Sequence, residues 1–294
     1  MLNRNKLIRF IIPCIITIAV LVTGCTEKKP VYSDLKAGVA LKYNLPADKV
    51  LNYKNSSSTT QSIEAMGQSA KTTLKAVLDY GIKGKGTEAE NLLAEVIISN
   101  ISITVNSPQG SVSPNTSALN GKSFDISIST KGKDVKFTGI ENLPKLRLSA
   151  QASGEQSAKS LFENILPVLP DNPVKSGDTW TVDIDKTTEQ GPVKISVKGT
   201  TTNTFEGIET VDGMECIKFK TDSKSTADGT GKIQGQDMTI KGDIKLTGTW
   251  YFAYKEGIFV KSSSDESAKM KMTVGGMMEI PQTITSKTTI ELAK

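Results

Sequence analysis

The sequence predicts a mainly β protein with a minor helical part: one long, curved antiparallel sheet, a half-open barrel, with one or a few covering helices. Three observations predict it. Apolar and polar residues alternate over unusually long runs, and the residues between the runs are those of hairpin turns. The composition is only 37% hydrophobic and 5% aromatic, with 24 glycines, which suits a sheet with one solvated face.

Taken in chain order, Val39, Leu41, Tyr43 and Leu45 alternate into a strand ending at Pro46, and Leu51 and Tyr53 begin a second. Leu74, Ala76, Leu78, Tyr80 and Ile82 continue the alternation. Met66, Ala70, Leu74 and Val77/Leu78 also fit helical spacing, but Gly67, Gly81 and the Ser/Thr content favour a strand. Ile97, Ile101, Ile103 and Val105 give another strand, followed by Phe124-Ile126-Ile128 and Val135-Phe137.

One helix is expected, over 154–166. Ser153 and Gln156 make a capping-box pattern, and Ala158, Leu161, Phe162, Ile165 and Leu166 follow at i, i+3, i+4 spacing. Pro167, Pro170 and Pro173 stop it. It lies between the two strand-rich stretches, placed to cover a curved sheet.

Beyond it, Trp180-Val182-Ile184 and Val193-Ile195-Val197 alternate, and Asp212-Gly213 marks a hairpin turn before Ile217 and Phe219. From Met238 one phase reads Met238, Ile240, Gly242, Ile244, Leu246, Gly248, Trp250, Phe252, Tyr254; the other is mostly Thr, Lys and Asp. Such a run extends about 55 Å at roughly 3.4 Å per residue. It is expected to curve or break, with Gly242 and Gly248 as kink points. Lys255-Glu256-Gly257 reads as the next turn; Ile258, Val260, Met270, Met272 and Val274 as the return strand; and Ile284, Ile290 and Leu292 as the last.

The expected organisation is a signal segment over 1–24, a tether over 25–36 and one β-rich domain over 37–294. Two stretches, 37–150 and 171–294, carry a faint echo. Ile63-Glu-Ala-Met-Gly67-Gln68 resembles Ile233-Gln-Gly235-Gln236, and Leu45-Pro46-Ala-Asp48 resembles the segment running from Pro173 to Asp178. Two related halves and chance similarity between polar strands both account for it.

The N-terminus carries the address. Arg4, Lys6 and Arg9 precede an apolar run from Phe10 to Val22, too short to span a bilayer comfortably but of signal-peptide length. Val22-Thr23-Gly24-Cys25 closes it and resembles a bacterial lipoprotein signal, which implies acylation of Cys25 and a membrane anchor there. An uncleaved anchor and an ordinary secretory signal are the alternatives. The expected place is the cell envelope, on the extracytoplasmic side. Loss of those three basic residues takes Lys+Arg from 36 to 33 against 31 acids, a net charge of +2. No basic cluster then points to nucleic acid. Cys216 is the one cysteine left apart from Cys25, so no internal disulfide forms, and its strand setting implies an inert thiol.

Catalytic patterns are missing. The chain has no histidine, which excludes Ser-His-Asp and Cys-His triads and nearly all catalytic zinc sites. No Ser-Lys dyad appears with its partner motifs. Gly81-Ile-Lys-Gly-Lys-Gly86-Thr87 lacks the lysine of a phosphate loop and reads as a turn. Asp183 and Asp185 read as a solvent-facing pair, and the expected loop from Asp222 to Asp228 lacks the spacing of a calcium loop. Met270, Met272, Met277 and Met278 read as adaptable core packing. No cofactor, metal or catalytic residue is expected.

Pro173-Val-Lys-Ser-Gly-Asp-Thr-Trp180, preceded by Leu166-Pro167 and Leu169-Pro170-Asp171, resembles a P-x-K-x-G-D-x-W motif in a family of largely uncharacterised bacterial lipoproteins. More distantly, a lipidated cysteine followed by long amphipathic strands and a covering helix resembles the lipoprotein-carrier (LolA/LolB/LppX-like) superfamily. That resemblance implies an open curved sheet whose concave side accepts acyl chains. The expectation is therefore a non-enzymatic, membrane-anchored lipoprotein that binds a lipid or other apolar ligand. The expected ligand-binding residues are Leu161, Phe162, Ile165, Ile244, Leu246, Trp250 and Phe252; the same residues also suit a sealed core. The alternative is an envelope structural or protein-interaction lipoprotein using its polar face or an edge strand.

Overall fold

The computed structural model describes residues 38–65, 68–146, 157–163, 165–190, 193–233 and 235–293. The expected signal segment, Cys25, the tether and the first residues of the expected helix lie outside them.

Twelve strands form one antiparallel sheet: β1 (Val50–Ala65), β2 (Gln68–Glu88), β3 (Asn91–Ser107), β4 (Gly110–Val112), β5 (Ser123–Ser129), β6 (Lys136–Thr138), β7 (Thr179–Gln190), β8 (Val193–Val211), β9 (Met214–Ile233), β10 (Gln236–Ala253), β11 (Ile258–Val274) and β12 (Met278–Leu292). The order is β6-β5-β3-β2-β1-β12-β11-β10-β9-β8-β7, with β4 beside β3. Hairpin connections make successive strands neighbours, so each stretch of the chain builds a meander. The meanders join where the first long strand meets the last, from Tyr53↔Leu292 to Ile63↔Gln282. The ends of the path, β6 and β7, do not pair, so the barrel stays half open.

Turn chemistry sets the register. At Asp212-Gly213 both residues have positive φ, 50° and 81°, as a two-residue hairpin with the right twist requires. The two parts of the faint sequence echo fall on unlike places: the Ile63 and Ile233 segments meet the first connection of one stretch, β1–β2, and the third of the other, β9–β10, whereas the other pair of segments leads into β1 and β7.

Several expectations change. Residues 39–45 form no strand: their one bridge is Val39↔Val174, although Leu41 and Tyr43 are fully buried. Gly81–Gly86 is strand rather than turn, because Gly84 receives the passing backbone of Leu45-Pro46. The Gly84 N–H donates to Pro46 O at 2.9 Å, and a Cβ there would stand 2.1 Å from Leu45 O. The stretch from Asp222 to Asp228 lies inside β9, not in a loop. Met277 is 90% exposed and Met278 43% exposed at the β11–β12 turn, so they are not core; Met238 is, at 2%.

The expected helix over 154–166 is, in its described part, a single 3-10 turn, Ala158–Leu161, capped by the Ser157 side chain. Among the described residues no helical element is longer. The physical reason is reach. The chain between β6 and β7 must pass from one sheet edge to the other, and an α-helix advances only about 1.5 Å per residue against about 3.3 Å when extended. The connector buries the predicted apolar residues all the same: Ala158, Phe162, Ile165, Leu166 and Leu169 are at most 8% exposed.

Opposite residues of antiparallel strands share a face, so the registers define two faces. The outer face carries lysines and acids in exposed cross-strand pairs such as Lys287–Asp265 and Lys271–Glu279, each worth little to stability. The inner face rolls inward. Gly242 shows how tightly: a Cβ there would meet Lys269 O at 2.4 Å and Met270 Cα at 2.7 Å. β10 therefore runs unbroken through Gly242 and Gly248, which admit the neighbouring strand rather than kink their own. Gly242→Val should cost about 1–3 kcal/mol, because the clash is with backbone that cannot rotate away. A urea midpoint equal to or above the native one would show a looser roll.

The closed end of the inner face is an aromatic core. Tyr53 stacks on Tyr80 (5.6 Å) and Phe259 (5.9 Å), and Phe162 of the connector meets Tyr80 (5.9 Å) and Phe124 (4.9 Å) edge-on. Phe219 stacks on Trp250 at 4.2 Å and touches Trp180 and Phe205. Bulges in three pairings, at Asp79/Tyr80, Phe205/Gly207 and Tyr251/Phe252, all lie at this level and increase the local coil. The Tyr53 hydroxyl donates to Phe259 O at 2.8 Å and Tyr43 to Pro167 O at 2.7 Å.

Burial raises the pKa of Tyr43, Tyr53 and Tyr80 above the usual 10.0. A raised folded-state value means the stability is intact below pH 10 and falls as pH rises above it, because the unfolded chain ionises first. The absorbance of these three tyrosines should stay silent past pH 10 and then change together with unfolding. Gradual titration from pH 10 with the fold intact would contradict their burial.

Candidate ligand-binding face

Along the strands, away from the closed end, the inner face changes character in two steps. Next to the aromatic core lies a belt of small polar residues. Gly248, Ser264, Thr288 and Thr221 share one level, and Leu246, Glu266, Ser286 and Ser223 the next. Thr59 bonds Ser286 at 2.8 Å and Thr201 donates to Ser223 at 3.1 Å. Beyond the belt the face is mostly apolar again: Ile244 with Ala268 and Ile284, Ile240 with Met272 and Ile280, and Ile63, Ile195 and Val197 on the flanking strands, with Ser225 and the hydrogen-bonded pair Gln61–Gln282 (3.0 Å) among them.

The aliphatic residues of this outer zone are not sealed. Ile240, Ile244, Leu246, Met270, Met272, Ile280 and Ile284 are all partly exposed, whereas Ala227 and Ala268 are buried beneath them. The hydrogen bonds that tie the connector down lie at the closed end: Val39 to Val174, Leu169 to Lys131, and Gly177 to Phe205.

The structure therefore divides the residues expected to bind ligand. Phe162, Ile165, Trp250 and Phe252 are at most 4% exposed and belong to the closed core, with Leu161 packed against it. Trp250 is also committed through its Nε1–H, which donates to Asn203 Oδ1 (3.2 Å) and Thr221 Oγ1 (3.1 Å). Only Ile244 and Leu246 lie on the open zone. Cys25 is outside the described residues. The division follows from the sheet's single phase: residues at even positions of β10 share one face, but depth along the strand decides what covers them.

Sequence reading missed two features. The first is Glu266. It breaks the apolar phase of β11 between Ser264 and Ala268, which is the signal that could have found it. Its carboxyl faces the belt with no ion pair or hydrogen bond among the described residues, and burial pushes its pKa upward. The second is a cleft of about 600 Å³ between residues 132–134, 168–172 and 179–183, where the two sheet edges approach without pairing. Lys133 Nζ closes its rim on Asp171 at 2.8 Å and holds that carboxyl below its usual range. Trp180 lines it with a buried Nε1–H that has no partner among the described residues.

The P-x-K-x-G-D-x-W motif sits at this cleft, and its local role is structural. Asp178 accepts from the Lys175 N–H at 3.0 Å and donates back to Lys175 O at 2.9 Å, closing a turn. Gly177 and Asp178 then pair with Phe205 of β8, which starts β7 in register and turns Trp180 inward.

Residues 145–259 match the model of a family of unknown function, DUF6263. The match takes in the motif and β7 to β10. No curated protein matches the sequence. Solved structures that align with the chain include Neisserial surface protein A, at 8% identity over 82% of this chain and 97% of that one, with a TM-score of 0.24. Pseudomonas aeruginosa OccK5 aligns at 6% identity over 84% and 99%, TM-score 0.26, and OccK2 at 6% over 85% and 100%, TM-score 0.29. Scores this low do not amount to a shared fold.

Cys216 is settled on the outer face among Val211, Ala253 and Val260, with its pKa pushed up to about 11, chiefly by burial. Asp183 and Asp185 are solvent-facing, as their spacing implied.

Proposed function

We propose that this protein is an extracytoplasmic, lipid-anchored binding protein that holds a lipid or other apolar ligand on the inner face of its rolled sheet. One observation carries the reading: a partly exposed aliphatic zone on β1, β8 and β10–β12 lies beyond a polar belt, on the concave side of a sheet that does not close. A core that served stability alone would be sealed along its length, as the aromatic end is. The anchor on Cys25 rests on the N-terminal sequence, and it would hold such a face next to a source of acyl chains.

The alternative, a protein-interaction role through a free edge, has β7 in its favour, since twelve residues of it lie at the sheet edge. The charged side chains Asp183, Asp185 and Lys186 along that edge are what keeps an edge from pairing, so the concave face is the stronger candidate.

The test is native mass spectrometry of the chain from Thr26 onward, gently purified, beside an organic extract and after exposure to phospholipid vesicles. A discrete lipid mass supports the reading. A clean apo mass with no uptake sinks it.

A further inference from the structure

Among the described strand residues, Glu215, Lys186 and Glu266 carry a charge on the inner-face phase. Glu215 lies at the closed end, bonded to Tyr254 and Lys255. Lys186 lies on β7, toward the open edge. Glu266 lies near the middle of the sheet, opposite Leu246 on β10 and Ser286 on β12, with Ser264 and Ala268 before and after it on the same face. Hydroxyls surround it. Ser286 and Thr59 continue its level on β12 and β1, and Ser223 and Thr201 continue it on β9 and β8 beyond Leu246.

A carboxylate held half out of water leaves acceptor capacity unused when the lysines of its own and neighbouring strands, such as Lys269, Lys245 and Lys287, lie on the opposite face. Hydroxyls on the same level can accept as well as donate. The belt is thus a set of acceptors around one negative charge, and the aliphatic zone begins one level further out, at Ile244, Ala268 and Ile284. From Glu266 to Met272 that zone runs about 20 Å at roughly 3.4 Å per residue.

Resting on the reading of this face as a ligand site, we propose that the ligand is a cationic amphiphile. A primary ammonium head would pair with Glu266, and its hydrocarbon chain would lie outward along Ile244, Met270, Ile240 and Met272. A primary ammonium carries three donors, one for the carboxylate and two for hydroxyls of the belt; a quaternary head would leave those hydroxyls unused. A carboxylate or phosphate head is disfavoured, because it would set like charges together in a partly desolvated site. Burial opposes the charge of Glu266 and raises its pKa, and a cation beside it would favour the ionised form.

Three probes with one chain length separate head from tail: octylammonium, octanol and octanoate. They are offered by equilibrium dialysis to the full-length protein in phosphatidylcholine nanodiscs, with empty nanodiscs subtracted. The expected order is octylammonium tightest, by about tenfold over octanol, the scale of one charge-assisted hydrogen bond, with octanoate weakest. Glu266→Gln should remove the ammonium preference, bringing octylammonium down to the affinity of octanol, and a native-like far-ultraviolet circular dichroism spectrum and urea midpoint show that the variant is folded. Glu266→Asp should keep the order. Equal binding of octylammonium and octanol by the native protein, or an ammonium preference that survives Glu266→Gln, overturns the proposal while leaving an apolar site in place. No binding of any probe overturns the apolar site and this proposal together.

Discussion

A Phe162→Ala protein is expected to lose about 3–5 kcal/mol of folding stability, a large share of what a domain of ordinary stability possesses. Phe162 is fully buried and lies edge-on to Tyr80 and Phe124. Truncating it leaves a void under two strands and loosens the segment that seals the aromatic end. The measurement is urea unfolding followed by far-ultraviolet circular dichroism, with the slope compared as well as the midpoint. A loss below about 1 kcal/mol would mean that the connector only rests on the sheet. The same residue was expected from sequence to touch ligand, and its full burial assigns it to the core.

Leu246→Arg is expected to do the opposite: to abolish uptake of an apolar ligand while moving the unfolding midpoint little, within about 0.5 kcal/mol, the range of ordinary surface changes. Leu246 is partly exposed at the boundary between the polar belt and the aliphatic zone, directly opposite Glu266. An arginine there can keep its head in water or pair with that carboxylate while its stem covers the face. It would place a charge and a long side chain where a ligand's chain must pass. The same native mass spectrometry, run on both proteins, reads the result. Undiminished uptake would move the site elsewhere, with the cleft beside Trp180 next in line. Global unfolding would show the face to be a sealed core.

The two substitutions separate core from site along one strand face, and no sequence pattern could have made that separation. Period-two alternation identified which side of β10 turns inward, and every residue from Met238 to Phe252 on that phase does. Alternation is a local property of the pleat and is blind to what lies above it. The connector's landing point decides that Trp250 and Phe252 are buried and that Ile244 and Leu246 are not, and it depends on contacts across more than a hundred residues, such as Tyr43 with Pro167. Distance along the chain also explains the cleft. Lys133 and Asp171 meet because the two ends of the sheet are brought near each other without pairing.

The sequence by itself determined the β class, the phase of nearly every long strand, the Asp212-Gly213 hairpin and the absence of histidine-based chemistry. Each follows from the covalent chain and its nearest neighbours: alternation, turn dihedrals, residue inventory. It failed over 154–166, where local spacing favours a helix but the connector must reach across the sheet, and at Gly81–Gly86, where the glycines serve a passing backbone rather than a turn. The tertiary structure alone decided the join of β1 to β12, the half-open edges, the depth of the aromatic seal and the setting of the Glu266 carboxyl within the polar belt. These depend on which distant strands pair and how steeply the sheet rolls, and those are set by packing and hydrogen bonding between segments that no local pattern connects.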